Sequence, residues 1–99
     1  MRLFARLAVY EVPEGVEATA RAGFEAALER IREAPGLHEG YVLLGTESSR
    51  AVTITFWESQ EAMAASRVVA SRARSEAVAA VGGEVVSVDE FEVVEGGGD

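Results

Sequence analysis

His38 is the only histidine in a chain of 99 residues that contains no cysteine. It is the one side chain whose ordinary pKa lies near neutrality, so it is the first candidate for a general base. It stands between Leu37 and Glu39, in a stretch that reads as a loop after Pro35-Gly36. The same counts exclude a dithiol redox centre, a cysteine nucleophile and a zinc cage of Cys and His. Ser66 is the second catalytic candidate. Beside it, Arg67 and Arg74 lie seven apart, nearly on one helical face, where they could hold an anionic substrate or pair with Glu residues in solvent. Asp89-Glu90 does not make a metal site, because adjacent strand residues point to opposite faces. Gly82-Gly83 ends a helix and lacks the context of a phosphate-binding loop. No metal and no cofactor is expected.

Nine basic residues, all of them Arg, stand against seventeen acidic ones, for a net charge of −8. Such a surface repels phosphate backbones and anionic lipid, so neither nucleic acid nor a membrane is expected as a partner. At 48% hydrophobic and 26% charged, the composition is that of a folded globular protein. The apolar runs are too short for a membrane span or a signal-peptide core. A cytoplasmic location is the expectation.

The elements that must position these residues follow from periodicity. Leu3, Leu7 and Val9 alternate with Arg2, Phe4, Arg6 and Tyr10, which predicts a strand over about residues 2–12. From Val16 the apolar residues fall three or four apart (Ala20, Phe24, Ala27, Leu28, Ile31), which predicts an amphipathic helix of about twenty residues. Pro35-Gly36 ends it. Gly40 to Gly45 reads as a second strand and Thr46 to Arg50 as a hairpin turn. Val52, Ile54 and Phe56 alternate with Thr53, Thr55 and Trp57 in a third strand. Ser59 offers an N-cap, and an alanine-rich helix is predicted from about Gln60 to Val81. Val85, Val86 and Val88 open a last strand. Its alternation slips near Asp89-Glu90, where a bulge or a change of burial is expected. The tail 96–99 has no side chain to pack and is expected to be disordered.

This order is βαββαβ, the α+β ferredoxin-like plan: a four-stranded antiparallel sheet with both helices on one face, as a single domain over 1–95. Both faces of the first and third strands carry large groups. The expectation is that Leu3, Leu7, Ile54 and Phe56 face the helices, while Phe4, Tyr10 and Trp57 cover the other face. An exposed patch of that kind is larger than monomers usually tolerate. Phe4, Tyr10 and Trp57 are therefore expected at the interface of a homodimer whose two sheets close an α+β barrel. Trp57 could instead stack a planar substrate. Tyr10 and Tyr41 could donate phenol protons or sit at the rim of the interface.

The run Pro35-Gly36, Gly40-Tyr41-Val42-Leu43-Leu44 and Thr53-Ile54-Thr55-Phe56-Trp57-Glu58-Ser59-Gln60-Glu61-Ala62-Met63 resembles the antibiotic-biosynthesis monooxygenase domain of the dimeric α+β barrel superfamily. The resemblance covers nearly the whole chain. It implies a pocket between helices and sheet and, in active members, oxidation of phenolic or quinol polycycles without metal or flavin. The family's haem-degrading branch uses an Asn on strand one, and a Trp and a His ten residues apart on helix two. By position these fall on Ala5, Ser66 and Glu76, so that mechanism is disfavoured.

The expected pocket is Leu3, Ala5, Leu7, Phe24, Leu28, Ile54, Phe56, Met63, Ser66, Arg67 and Ala70. Ala5, Ser66 and Ala70 are small where larger groups would fill the core, which would leave room for a small apolar aromatic ligand. A tightly packed core is the alternative. Two functions stay open on this reading: a cofactor-independent monooxygenase acting on a quinol or phenolic, polyketide-like aromatic, and a non-catalytic dimeric module that binds a small ligand or serves in assembly.

Overall fold

The computed structural model describes residues 2–98. Met1 and Asp99 lie outside the described residues, and with them the first residue of the expected domain 1–95 and the last of the expected tail 96–99. The chain runs β1 (Phe4–Glu11), α1 (Glu17–Ile31), β2 (Leu37–Leu44), β3 (Arg50–Trp57), α2 (Gln60–Ala65), α3 (Arg67–Val81) and β4 (Glu84–Glu92). The strands form one antiparallel sheet in the order β2-β3-β1-β4. This is the ferredoxin-like α+β fold, with its second helical segment in two pieces. Among the described residues no helix is long and apolar enough to cross a membrane.

Local signals act where the chemistry of the residues predicts. The Ser59 hydroxyl accepts from the Ala62 N–H at 3.0 Å and starts α2. Gly82 ends α3 in the left-handed region, with φ of 67°, which a glycine adopts without strain. The helix expected over 60–81 breaks at Ser66, which closes α2 and opens α3. The Ser66 hydroxyl donates to the Met63 carbonyl at 2.7 Å, a back-bond that competes with helical pairing. The strand expected from Gly40 begins at Leu37 instead, and so His38 lies in β2 and not in a loop. The register irregularity of β4 falls at Val86, between the pairs Val9↔Ser87 and Tyr10↔Val85, and not at Asp89-Glu90.

The face assignment is the main correction. The core under the helices joins Ala8, Tyr10 and Ala51 of the sheet to Ala20, Phe24, Ala27, Ala73, Ala77 and Val81. Alternation then puts Phe4, Arg6, Ala8 and Tyr10 of β1, with Thr53, Thr55 and Trp57 of β3, on the helix side. Ala5, Leu7, Ile54 and Phe56 lie on the opposite, open face. Trp57 is fully buried and Tyr10 is 2% exposed, so neither is a surface residue of that open face. The two faces are exchanged relative to the sequence expectation. Both carry large apolar groups, and Arg6 made the helix side look like the wet one.

Candidate functional site

Arg6 is 4% exposed, a cation under two helices. Burial of this kind is costly unless every donor is used. Arg6 Nη2 donates to the Met63 carbonyl at 2.7 Å and to Glu90 Oε2 at 2.9 Å, Nη1 donates to Ser66 Oγ at 3.1 Å, and Nε donates to Glu90 Oε2 at 3.1 Å. Its guanidinium lies 5.8 Å from the centre of the Trp57 ring, within cation–π range. The break at Ser66 thus supplies a carbonyl and a hydroxyl that the buried cation uses. Glu90 also receives Arg67, with Nη2 to Oε1 at 2.6 Å and Nε to Oε2 at 3.1 Å. Hydrogen bonds from Arg67, and then from Arg6, hold the Glu90 carboxyl below its usual range against the opposing effect of burial.

Beside this network a narrow slot opens between sheet and helices. Its walls are Phe24, Ala27, Leu28 and Ile31 of α1, Ala70 and Arg74 of α3, and Arg6, Tyr10, Thr53 and Thr55 of the sheet. The cavity is about 20 Å³, room for roughly one water. The Tyr10 hydroxyl and Thr53 Oγ1 are hydrogen-bonded at 2.9 Å, and the Tyr10 ring packs on Phe24 with centroids 4.7 Å apart. Burial pushes the Tyr10 phenol up, opposed by the Thr53 hydrogen bond and by the Arg74 charge. Tyr10 is therefore a proton donor and not a base at neutral pH. Thr55 is occupied by the Trp57 indole, whose N–H donates to its Oγ1 at 2.9 Å.

Of the expected pocket residues, Phe24, Leu28 and Ala70 line this slot. Met63 is the buried residue of α2 and touches the site through its carbonyl. Ser66 faces Arg6 and also a separate groove of about 680 Å³ between the α1–β2 loop and α2–α3, lined by Pro35, Gly36, Ala62 and Val69 among others. Arg67 lines a groove between α3 and β4. Ala5, Leu7, Ile54 and Phe56 are on the far side of the sheet, and Leu3 precedes β1, its carbonyl accepting from the Val93 N–H at 2.9 Å. His38 is outside the slot, with Nε2 3.9 Å from Glu39 Oε1. Glu76 is exposed and pairs with Arg30. The position carried over to Ala5 lies off the helix side, where the β1 residues are Phe4, Arg6, Ala8 and Tyr10. Sequence reasoning missed Arg6, Thr53 and Thr55 as site residues, and it weighed Tyr10 as a phenol donor but set it on the other face of the sheet. The available signal was the strict register of polar residues at 6, 53 and 55 with the large aromatics Tyr10 and Trp57.

Among the described residues no cluster of three or more His, Cys, Asp or Glu could hold a metal ion. The slot sets the apolar side chains of Phe24, Leu28 and Ala70 beside a hydroxyl donor, Tyr10, and a cation, Arg74, and at about 20 Å³ it takes a planar group only if the side chains over it part.

Comparison with solved structures places this geometry among known folds. The cofactor-independent oxygenase SnoaB from Streptomyces nogalater superposes with a TM-score of 0.72 at 12% identity, covering 99% of this chain and 97% of that one. The haem-degrading protein MhuD of Mycobacterium tuberculosis, solved with two haems bound in its active site, superposes with a TM-score of 0.71 at 26% identity, covering 96% and 99%. MupZ from Pseudomonas fluorescens gives 0.73 at 14%, covering 91% of this chain and 71% of that one. Comparison with curated protein sequences finds no significant match. The antibiotic biosynthesis monooxygenase profile matches residues 3–80, β1 through nearly all of α3 with every wall of the slot, and the chain belongs to that family.

Proposed function

We propose that the protein is a cofactor-independent monooxygenase that binds a quinol or phenolic, polyketide-like aromatic in the slot and works as a cytoplasmic homodimer. The observation that carries the reading is the grouping in the slot of apolar side chains with the Tyr10–Thr53 pair and Arg74; the aromatic enters as the side chains of α1 and α3 over the slot move apart. An acidic phenol or enol in such a place loses its proton more readily, because the anion gains Arg74 and the Tyr10 hydroxyl in a low-dielectric setting. The electron-rich anion then hands electrons to oxygen directly. In the net reaction the ring carbon that is CH2 in the substrate's keto tautomer becomes C=O, one oxygen atom of O2 enters the product and the other leaves as water, with all four electrons supplied by the substrate. Among the described residues no imidazole or carboxylate lines the slot, and His38 lies outside it, so this proton goes to solvent. The chain's part is to bind, to stabilise charge and to exclude water.

The test is oxygen uptake by the purified protein with a panel of reduced naphthoquinones and anthrones, with chelator present and heat-denatured protein as control. Uptake that follows native protein, survives the chelator and falls at least about tenfold in Tyr10→Phe supports the reading. Silence across the panel moves the assignment to a non-catalytic ligand-binding module.

A second reading is favoured by the greater identity to the haem-degrading protein MhuD, 28% and 26% in two structures of it. Against it, the chain has no Asn, and its one His lies on β2 and not on a helix. Visible spectroscopy of a haem titration decides it: a saturable Soret shift with release of iron on adding reductant and oxygen would favour haem as the substrate.

A further inference from the structure

The geometry points to an anion anchor at the mouth of the slot, built on Arg74, which makes planar aromatic carboxylates the class of ligand the site takes. This inference names the substrate class of the slot proposed above as the ligand site and rests on that reading. Six of the nine arginines have a carboxylate within 4.0 Å: Arg2, Arg6, Arg30, Arg32, Arg50 and Arg67. Among the described residues Arg21, Arg72 and Arg74 have none. Arg21 and Arg72 are exposed, whereas Arg74 is half-buried. In a chain with eight excess carboxylates, a half-buried arginine without one stands out, since desolvating a cation is offset only by a partner.

Arg74 also occupies a special place. It lines both the slot and the adjoining groove of about 450 Å³ between α3 and β4, where Arg67 and Ser71 share its helical face at spacings of four and three. Asp89 pairs in register with Leu7 and so belongs to the open face of the sheet. Asp89 nevertheless lines the groove, so Arg6, Arg67 and Arg74 face two carboxylates there, and among the described residues no arginine lies within 4.0 Å of Asp89. Glu90 is already committed to Arg6 and Arg67. Among the described residues Arg74 is the arginine of this groove with no carboxylate within 4.0 Å, and Tyr10 shares the slot with it. A carboxylate there receives a forked pair of N–H donors, with Ser71 on the groove side and Tyr10 on the slot side. The ring behind it meets Phe24, Leu28 and Ala70. Because the slot holds about one water as it stands, a bicyclic ring enters only as the side chains of α1 and α3 over it move apart.

The probes are 2-naphthoic acid and its neutral, nearly isosteric amide, titrated calorimetrically into the purified protein. The acid is expected to bind about tenfold or more tighter than the amide, the worth of a charge-assisted contact. Arg74→Gln abolishes that preference and Arg74→Lys keeps part of it. Arg72→Gln, which changes the net charge equally but sits away from the slot, leaves it intact. Folding of each variant is checked by circular dichroism, and if Arg74→Gln fails to fold, the Lys variant carries the comparison. Equal binding of acid and amide, an unchanged preference in the Arg74 variants, or no binding of either probe at millimolar concentration overturns the anchor. Binding is read without turnover, so the two proposals fail separately. A preference for the acid with no oxygen uptake retires the oxygenase and keeps the anchor; uptake with neutral quinols and no preference does the reverse.

Discussion

Glu90 neutralises two arginines, one buried and one exposed, and the consequence shows in its titration. Its carboxyl is held below the usual range in the folded state, chiefly by Arg67 and then by Arg6. A carboxylate with a depressed folded pKa contributes stability that is fully present above its unfolded value, about 4.3, and is lost as the pH falls through the lower folded value. Glu90→Gln leaves Arg6 buried without its counter-charge and is expected to cost about 3 kcal/mol at pH 7. That gap narrows as the pH falls below about 4, because the wild-type carboxyl is then neutralised too. Urea unfolding at pH 7 and pH 3.5 measures both, and a gap independent of pH would show that the carboxylate is not acting as an ion there. Neither Arg6 nor this role of Glu90 was legible in the sequence. The partners are 84 positions apart, and an arginine within an alternating strand reads as a solvent-facing residue until the sheet order sets β4 beside β1.

At the scale of elements, the legible parts were those fixed by local chemistry. The alternation of Val52, Ile54 and Phe56 defined β3, the Ser59 cap defined the start of α2, and Gly82 the end of α3, because each signal is satisfied by neighbours in the chain. The face of β1 was not legible, since Leu7 and Val9 on one side balance Tyr10 and Phe4 on the other. The candidate site inherited that ambiguity: Phe24, Leu28 and Ala70, placed by helical periodicity, line the slot, while the strand residues chosen with them were on the wrong side. The break between α2 and α3 was hidden because a serine inside an alanine-rich helical stretch does not by itself announce the back-bond to Met63 or the contact with Arg6. The connection from α1 to β2 has a sharper requirement. Gly36 has φ of 87°, and a Cβ built there would lie 2.5 Å from the Ala62 Cβ. Its carbonyl also accepts from the Glu58 N–H at 2.8 Å, tying this loop to the start of α2. Gly36→Ala combines an unfavourable backbone region with a collision against α2, and a loss of about 2 kcal/mol is expected. Thermal unfolding reads it, and a variant as stable as wild type would mean that the loop simply relocates.

The whole molecule leaves one face of its sheet without a covering layer in the single chain. Tyr41 is 48% exposed, Leu43 46% and Phe91 50%, and they flank Leu7, Ile54 and Phe56 of the same face. Tyr41 and Phe56 meet edge to face at 6.4 Å, so the patch is an ordered surface as well as an apolar one. A second copy laid on it buries this surface symmetrically, which is the basis of the proposed dimer, with Leu7, Ile54 and Phe56 in the role first expected of Phe4, Tyr10 and Trp57. A standard interface needs about 800 Å² from each partner. Each copy carries a charge of −8, so the hydrophobic gain works against mutual repulsion. Two outcomes follow from that balance. Sedimentation should show a dimer at micromolar concentration whose dissociation constant falls as salt rises from about 0.01 to 0.15 M, since screening removes repulsion and leaves apolar contact untouched. Ile54→Glu should give a folded monomer, because it sets an unpaired carboxylate at the centre of the patch while leaving the helix side of the sheet unchanged. A wild-type monomer, or a dimer that salt weakens, would mean that apolar contact across this face is not what joins two copies.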